Sequence, residues 1–275
     1  MLTSAANPRV RAAMALRARR ERDHTGRILI DGARELLRAL DADVTVETIF
    51  VCAALCRSEA CRMLLGRLAP DDHRLVLVSE GAFARLAFGD RAEGVVGVAL
   101  RPGLDLADLT LPADPLLAVI EAVEKPGNVG AILRSADGAG LDALVAAEPR
   151  TDLFNPNAIR ASLGTIFSVP LAAAPTVEVL AWLRANRVRP VVARVDGTSV
   201  HTETDLRGPL AIVLGSEAAG LSEVWSGPDV LAVRLPMLGS ADSLNVAAAA
   251  AILFYEARRQ RGTSASVRRD TTSEQ

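Results

Sequence analysis

From Leu116 onward, six short apolar runs (LLAVIEAV, ALVAAE, IFSVPL, PVVARV, LAIVLG and VLAVRL) alternate with segments of helical periodicity. Runs that stay apolar on both sides suit strands buried on both faces, which calls for a parallel sheet with helices packed on each side. The last helix is expected from about Leu244 to Gln260, where alanine dominates, and the Ser/Thr/Arg-rich residues 263–275 are expected to be a disordered tail.

Upstream, a smaller α/β unit is expected over residues 26–101. GRILIDG reads as a strand and turn, ARELLRALDA as a helix, VETIFVCA as a strand, CRMLLGRLA as a helix, HRLVLV as a strand, GAFARLAF as a short helix and GVVGVAL as a closing strand. RPGLDLADLTLPADP has three prolines and no clean period, so residues 102–115 read as the link to a second domain over 116–262. At 275 residues, two domains fit the length. Residues 1–25 form a basic leader: between Arg9 and Arg27 lie seven arginines against Glu21 and Asp23. Such a run is either an RNA-backbone contact or a solvated helical face.

The net charge of −2 rules out bulk polycationic attraction to nucleic acid, so any such binding has to come from local patches. Cys52, Cys56 and Cys61 lie within ten residues, which suits neither a disulfide framework nor a paired zinc site; small buried residues on a strand and a helix are expected instead. The N-terminus is Arg-rich without an apolar core, and the chain lacks a run of about 18 uncharged apolar residues. A cytoplasmic protein without membrane contact is expected.

In an open α/β sheet, ligands bind beyond the carboxyl ends of the strands. Three polar loops follow apolar runs there. In EKPGNVGAILRSADGAG, Asn128 is a candidate N-cap and Arg134 lies among small and apolar neighbours, either paired with a carboxylate or directed at an anion. In LGSEAAGL, Gly215 and Gly220 allow close backbone approach, and Glu217 either caps a helix or serves a site. In LPMLGSADSLNV, Ser243 is a candidate N-cap, while Asn245 needs a defined partner for its amide. Lys125 is the only lysine and precedes Pro126, which excludes a phosphate-binding G-x-x-x-x-G-K-[ST] loop. GAGLDA fits a relaxed dinucleotide pattern but ends a helix rather than opening one, so a C-cap is the better reading. With His24, His73 and His201 far apart and no H-E-x-x-H, no metal is expected.

In order, NVGAILRSADGAG, LGSEAAGL and LPMLGSADSLNV resemble the three signature motifs of the SpoU/TrmH family of RNA 2′-O-ribose methyltransferases. RASLGTIFSVP (Arg160 to Pro170) is similar to that family's middle segment, and GRILIDGARELLRAL with GVVGVAL is similar to the small ribosomal-protein-like substrate-binding domain of its ribosomal-RNA branch. Asp137 and Ala139 depart mildly from the family pattern. The resemblance implies an α/β fold whose C-terminal domain holds a deep trefoil knot, S-adenosylmethionine as cofactor, and a homodimer with active sites at the subunit interface. It implies Leu214, Gly215, Ser216, Gly220, Leu235, Pro236, Met237, Ser243 and Leu244 around the cofactor. Arg134 is then the catalytic candidate, with Asn128, Glu217, Ser243 and Asn245 shaping the acceptor site. RNA contacts would come from Arg9, Arg11, Arg17, Arg19, Arg20, Arg22 and Arg160.

Methyl transfer from a sulfonium needs alignment and water exclusion rather than a metal or covalent nucleophile. A guanidinium is a poor base, so Arg134 is expected to contact an RNA phosphate and the developing oxyanion, with a neutral Arg134 as base the second version. Ribosomal RNA, 23S RNA above all, is the expected substrate; transfer RNA, or an inactive ribosomal-RNA-binding module, are the alternatives. A nicotinamide oxidoreductase fits the glycine pattern less well. Some relatives from GC-rich genomes protect ribosomes from antibiotics, and both a housekeeping and a resistance role stay open.

Overall fold

The structure is a computed structural model that describes residues 1–4, 6–69, 71–88 and 93–262. The expected disordered tail, 263–275, lies outside them. Two sheets organise the rest. The first comprises β1 (Arg27–Asp31), β2 (Val46–Val51), β3 (Leu75–Leu77) and β4 (Val95–Leu100) in the order β1-β4-β2-β3, with β4 antiparallel to both neighbours and β2 parallel to β3.

Because strand side chains alternate between faces, Leu29, Phe50, Val76 and Val96 bury against α1 (Pro8–Ala15) and α5 (Glu80–Leu86). Ile28, Ile30, Ile49 and Val95 point the other way, toward α3 (Ala33–Asp41) and α4 (Glu59–Gly66). The expected basic leader is therefore no separate segment. Val10, Ala13 and Leu16 belong to the domain core, and α2 (Arg19–Thr25) runs straight into β1.

The second sheet is parallel throughout and contains β5 (Leu116–Glu121), β6 (Ala143–Ala147), β7 (Leu171–Ala174), β8 (Arg189–Ala193), β9 (Ser199–Val200), β10 (Leu210–Leu214) and β11 (Leu231–Arg234), ordered β7-β6-β5-β10-β8-β11-β9. One face is covered by α6 (Pro126–Ala139), α7 (Pro156–Ala161) and α9 (Val246–Gln260), and the other by α8 (Thr176–Ala185) and Trp225. Gly130 permits the close approach of α6 to α7: a Cβ there would stand 2.5 Å from the Ala161 Cβ and 2.7 Å from the Ala158 carbonyl oxygen.

IFSVPL does not form the expected strand. Thr165–Phe167 form a 3-10 turn after Gly164, which takes φ +84°, and pairing begins only at Leu171. The run is apolar because Ile166, Phe167 and Val169 are core residues of a turn, and Phe167 stacks on Phe154 with centroids 6.3 Å apart. Nor is the linker a loose tether. The Leu104 carbonyl accepts a hydrogen bond from the edge-strand Ala173 N–H at 2.8 Å, while Leu106, Leu109 and Leu111 pack on the α8 face.

The two units share a core in which Ile28 and Leu36 of the first join Leu133, Phe154 and Ile166 of the second. Three arginines clamp the junction. Arg22, 1% exposed, donates from Nε to Asp152 at 2.6 Å and from Nη1 to the Leu16 and Arg17 carbonyls at 2.7 and 2.8 Å. Arg38 donates to the Leu163 carbonyl at 2.6 Å, and Arg160 donates to the Phe88 carbonyl.

Candidate active site

The carboxyl ends of β5, β8, β10 and β11 open on one side of the sheet, and the expected site residues cluster there. After β5 the chain turns at Ala122, φ +52°, and enters α6 through Lys125 and Pro126. Proline occupies the first helical turn, so Asn128 sits inside the helix and is not its N-cap. The loop after β10 closes on itself. Ser216 and Gly220 exchange two backbone hydrogen bonds of 3.1 and 3.0 Å, and the Ala219 N–H donates to the Ser216 hydroxyl at 3.1 Å. Gly220 needs its φ of +68°, and a Cβ on Gly215 would stand 2.3 Å from the Gly220 carbonyl carbon, so both glycines are required by the turn.

That loop is tied to the sheet by Glu121, 3% exposed at the end of β5. Its carboxylate accepts from the Thr176 hydroxyl at 2.7 Å and from the Ser222 amide and hydroxyl at 2.8 and 2.7 Å. The third loop meets α9 at Asn245. Asn245, and not Ser243, is the N-cap, its Oδ1 accepting from the Ala247 N–H at 3.0 Å.

The three loops converge on Glu217. One carboxylate oxygen accepts from Asn245 Nδ2 at 2.6 Å, and the other from Lys125 Nζ at 2.5 Å. Asn245 Nδ2 also reaches Asn128 Oδ1 at 3.3 Å. Residues distant in sequence thus form a single network. The hydrogen bond from Lys125 holds the Glu217 carboxyl below the usual carboxylate range, and the carboxylate in turn raises the Lys125 ammonium. Glu217 is therefore an ionised acceptor at neutral pH that fixes the Asn245 amide.

Two cavities flank the network. The larger, about 580 Å³, is lined by Leu214, Gly215, Ser216, Gly220, Leu235, Met237, Ser243 and Leu244 among others. The smaller, about 250 Å³, lies between Lys125, Asn128 and Glu217. Both include Ser216 and Glu217, so they adjoin. Pro236, expected at the cofactor, is exposed and does not line the larger cavity. Arg194, Val195 and Asp196 after β8, and Asp242, do line it and were missed by the reading of the sequence, although the carboxyl end of an apolar strand was the signal.

A volume of this size holds a nucleoside-sized ligand. Apolar walls from Leu214, Leu235, Met237 and Leu244 suit a purine ring, and the carboxylates of Asp196, Asp242 and Glu217 suit cationic groups. The residues present fit S-adenosylmethionine. Among the described residues no cluster with metal-ligand character occurs, and no helix is long and apolar enough to cross a membrane.

Arg134 stands apart. From Asn128 it is six residues along α6, about 9 Å up the axis and ~120° round it, and it is exposed without a hydrogen bond or ion pair to any described residue. Of the expected RNA contacts, Arg22, Arg17 and Arg160 are engaged within the protein. Arg22 is buried against Asp152, Arg17 donates to the Arg85 and Ala87 carbonyls and lies over Phe88, and Arg160 bonds the Phe88 carbonyl. Burial and the ion pair to Asp152 correct the expectation for Arg22; Arg9, Arg11, Arg19 and Arg20 remain exposed.

The sequence matches the SpoU rRNA Methylase family over residues 115–255 and the MRM3-like substrate binding domain over residues 7–97. It is 32% identical over 255 residues to the 23S rRNA (uridine(2479)-2′-O)-methyltransferase of Streptomyces viridochromogenes, covering 88% of this chain and 86% of that one. A crystal structure of an RNA 2′-O ribose methyltransferase superposes with a TM-score of 0.83 at 38% identity, covering 94% of this chain and 98% of that one. The SpoU methyltransferase AviRb from Streptomyces viridochromogenes, in complex with AdoMet, superposes with a TM-score of 0.83 at 30% identity, covering 92% and 98%.

Proposed function

The chain belongs to the SpoU rRNA methylase family, and from this membership we infer its reaction: transfer of a methyl group from S-adenosylmethionine to a ribose 2′-hydroxyl of 23S ribosomal RNA. The observation that carries the reading is the Asn128–Glu217–Asn245 network standing between the cofactor-sized cleft and a second cavity open to a substrate. S-adenosylmethionine, when bound, supplies an electrophilic methyl carbon.

The chain's own residues supply position. Leu214, Leu235, Met237 and Leu244 wall the cleft and exclude water, while the closed turn at Gly215–Gly220 presents backbone polar groups. Asn245 has its amide fixed by Glu217 and by its capping bond, so it is pre-organised to hold the acceptor ribose. Asn128 lines the cavity where that ribose enters.

Arg134 is the proposed substrate-touching cation, and its distance from the network is accounted for by a homodimer. On α9, Ala248, Ile252 and Tyr255 form an exposed stripe, with Ile252 41% and Tyr255 54% exposed. Gly138, one turn from Arg134, lies against the Tyr255 hydroxyl. Pairing through this stripe carries Arg134 toward the partner's acceptor cavity, where its guanidinium contacts an RNA phosphate and stabilises the developing oxyanion. The proton leaves late, to solvent. The trefoil knot belongs to the same proposal: β11 enters the sheet between β8 and β9, and the chain then returns to lay α9 on α6. Arg9, Arg11, Arg19 and Arg20 are the proposed RNA-backbone contacts of the first domain, and a cytoplasmic location follows from a ribosomal substrate.

The test is incubation with methyl-labelled S-adenosylmethionine and separate pools of unmodified 23S, 16S and transfer RNA. Label is expected in 23S RNA and lost with Arg134→Ala; label confined to transfer RNA would replace the substrate assignment.

A further inference from the structure

Among 31 basic residues the chain contains one lysine, and it stands at the acceptor cavity. We propose that Lys125 is a substrate-anchoring residue, whose ε-ammonium leaves the Glu217 carboxylate when RNA binds and takes a phosphate of the acceptor nucleotide. This rests on the methyltransferase reading above.

Three observations meet at this residue. Lys125 lines the 250 Å³ cavity with Asn128 and Glu217, and that cavity shares Ser216 and Glu217 with the cofactor cleft. An RNA strand that sets a ribose hydroxyl beside Asn128 therefore brings its backbone past the ammonium. Next, the hydrogen-bond partner of the ammonium is Glu217, and the lysine side chain is 71% exposed. Exposed pairs of this kind hold their partners weakly, so exchanging the carboxylate for a phosphate of a polyanion costs little.

The third observation is the residue type. Elsewhere this chain pairs carboxylates with arginine forks, as in Arg27–Glu47, Arg184–Asp229 and Arg259–Glu256, each held through two nitrogens. A guanidinium facing Glu217 would make the same two-point grip, whereas an ammonium is a point charge on a flexible stem that lets go. Lysine is the cation that can change partners here. Its departure leaves Glu217 bonded to Asn245, so the network that orients the acceptor survives the exchange.

Because Lys125 is the chain's only ε-amine, reductive methylation with formaldehyde and borohydride, read by peptide mass spectrometry, reports on it alone apart from the N-terminus. In wild-type protein, unmodified 23S RNA transcript is expected to slow modification of Lys125 at least fivefold, and S-adenosylmethionine alone to leave the rate unchanged. Equal rates with and without RNA, in protein that methylates the same transcript, would overturn the proposal while leaving the reaction intact. Failure of wild-type protein to methylate any RNA would count instead against the reading beneath it.

Kinetics give the second readout. Lys125→Ala is expected to raise KM for RNA about tenfold, to lower the slope of binding against log salt by about one, and to leave kcat within threefold and cofactor affinity unchanged. Lys125→Arg is expected to keep the charge yet bind RNA more weakly than wild type, because the fork stays on Glu217. A fall in kcat at constant KM in Lys125→Ala would show that the lysine merely supports Glu217, and would refute the exchange.

Discussion

Replacing Arg22 by methionine separates two accounts of one residue, since the sequence places it in a basic RNA-contacting run and the structure places it in the junction between the two sheets. Arg22 is 1% exposed and the Asp152 side chain 8%. The guanidinium donates three hydrogen bonds, one of them to an ionised carboxylate, and the Asp152 side chain keeps only the Phe154 N–H at 2.9 Å when it is gone. Removing one member of a buried ion pair typically costs about 3–5 kcal/mol, because the remaining charge loses its compensation. For a chain of this size each kcal/mol shifts the melting temperature by roughly 2–4 °C. Arg22→Met is therefore expected to melt about 10 °C lower by differential scanning calorimetry. The double variant Arg22→Met/Asp152→Leu, which removes both charges from the buried site, is expected to recover most of that loss. A loss below about 1 kcal/mol, accompanied by weaker RNA binding in the folded variant, would refute the structural role and restore the RNA contact.

Further expectations follow from the same geometry. Burial pushes the Asp31 carboxyl up to about 6 from 3.8, against the hydrogen bond from the Phe88 N–H. The folded state thus holds its proton more tightly than the unfolded one, so this stabilisation is fully present below about pH 4 and is lost as pH rises through 6; the ionised group costs about 3 kcal/mol above that. Asp31→Asn is expected to melt higher than wild type at pH 8, with the gap closing by pH 5; an equal gap at both pH values would contradict this. Asn245→Asp keeps the capping acceptor of α9 but loses the amide donor and sets a carboxylate against Glu217, so melting should change by less than about 1 kcal/mol while methyl transfer drops at least tenfold. Retained activity would sink the role of the Asn245 amide. Gly215→Ala would drive a methyl into the Gly220 backbone, and isothermal titration calorimetry is expected to show S-adenosylmethionine affinity reduced more than tenfold; unchanged affinity would remove the turn from the cofactor site.

Much of this was legible in the residues, and the exceptions have physical causes. Strands β5, β6 and β10 show in the sequence because every position is buried and all but the terminal Glu121 are apolar, and β8 shows through its buried centre, whereas β11 is only half-buried and is legible from its apolar residues alone. IFSVPL misleads because apolarity reports burial, not backbone shape, and Gly164 commits the chain to a turn there. Asn128 looked like a cap because asparagine favours that place, yet Pro126 fixes the helix start earlier. The convergence of Asn128, Glu217 and Asn245 was reached only through family resemblance, and the place of Lys125 beside them not at all, since hydrogen bonds spanning 28 to 117 residues leave no local signal. Arg22 is the sharpest case. Charge counting cannot distinguish an arginine buried on Asp152 from the exposed Arg19 and Arg20 beside it.

The central claim is that the methyl group is delivered to ribose oxygen. Nuclease digestion of 23S RNA methylated by the purified protein, followed by mass spectrometry of the nucleosides, tests it most directly. The account predicts a single 2′-O-methyl nucleoside that is absent with Arg134→Ala; a nucleoside methylated on its base would contradict it.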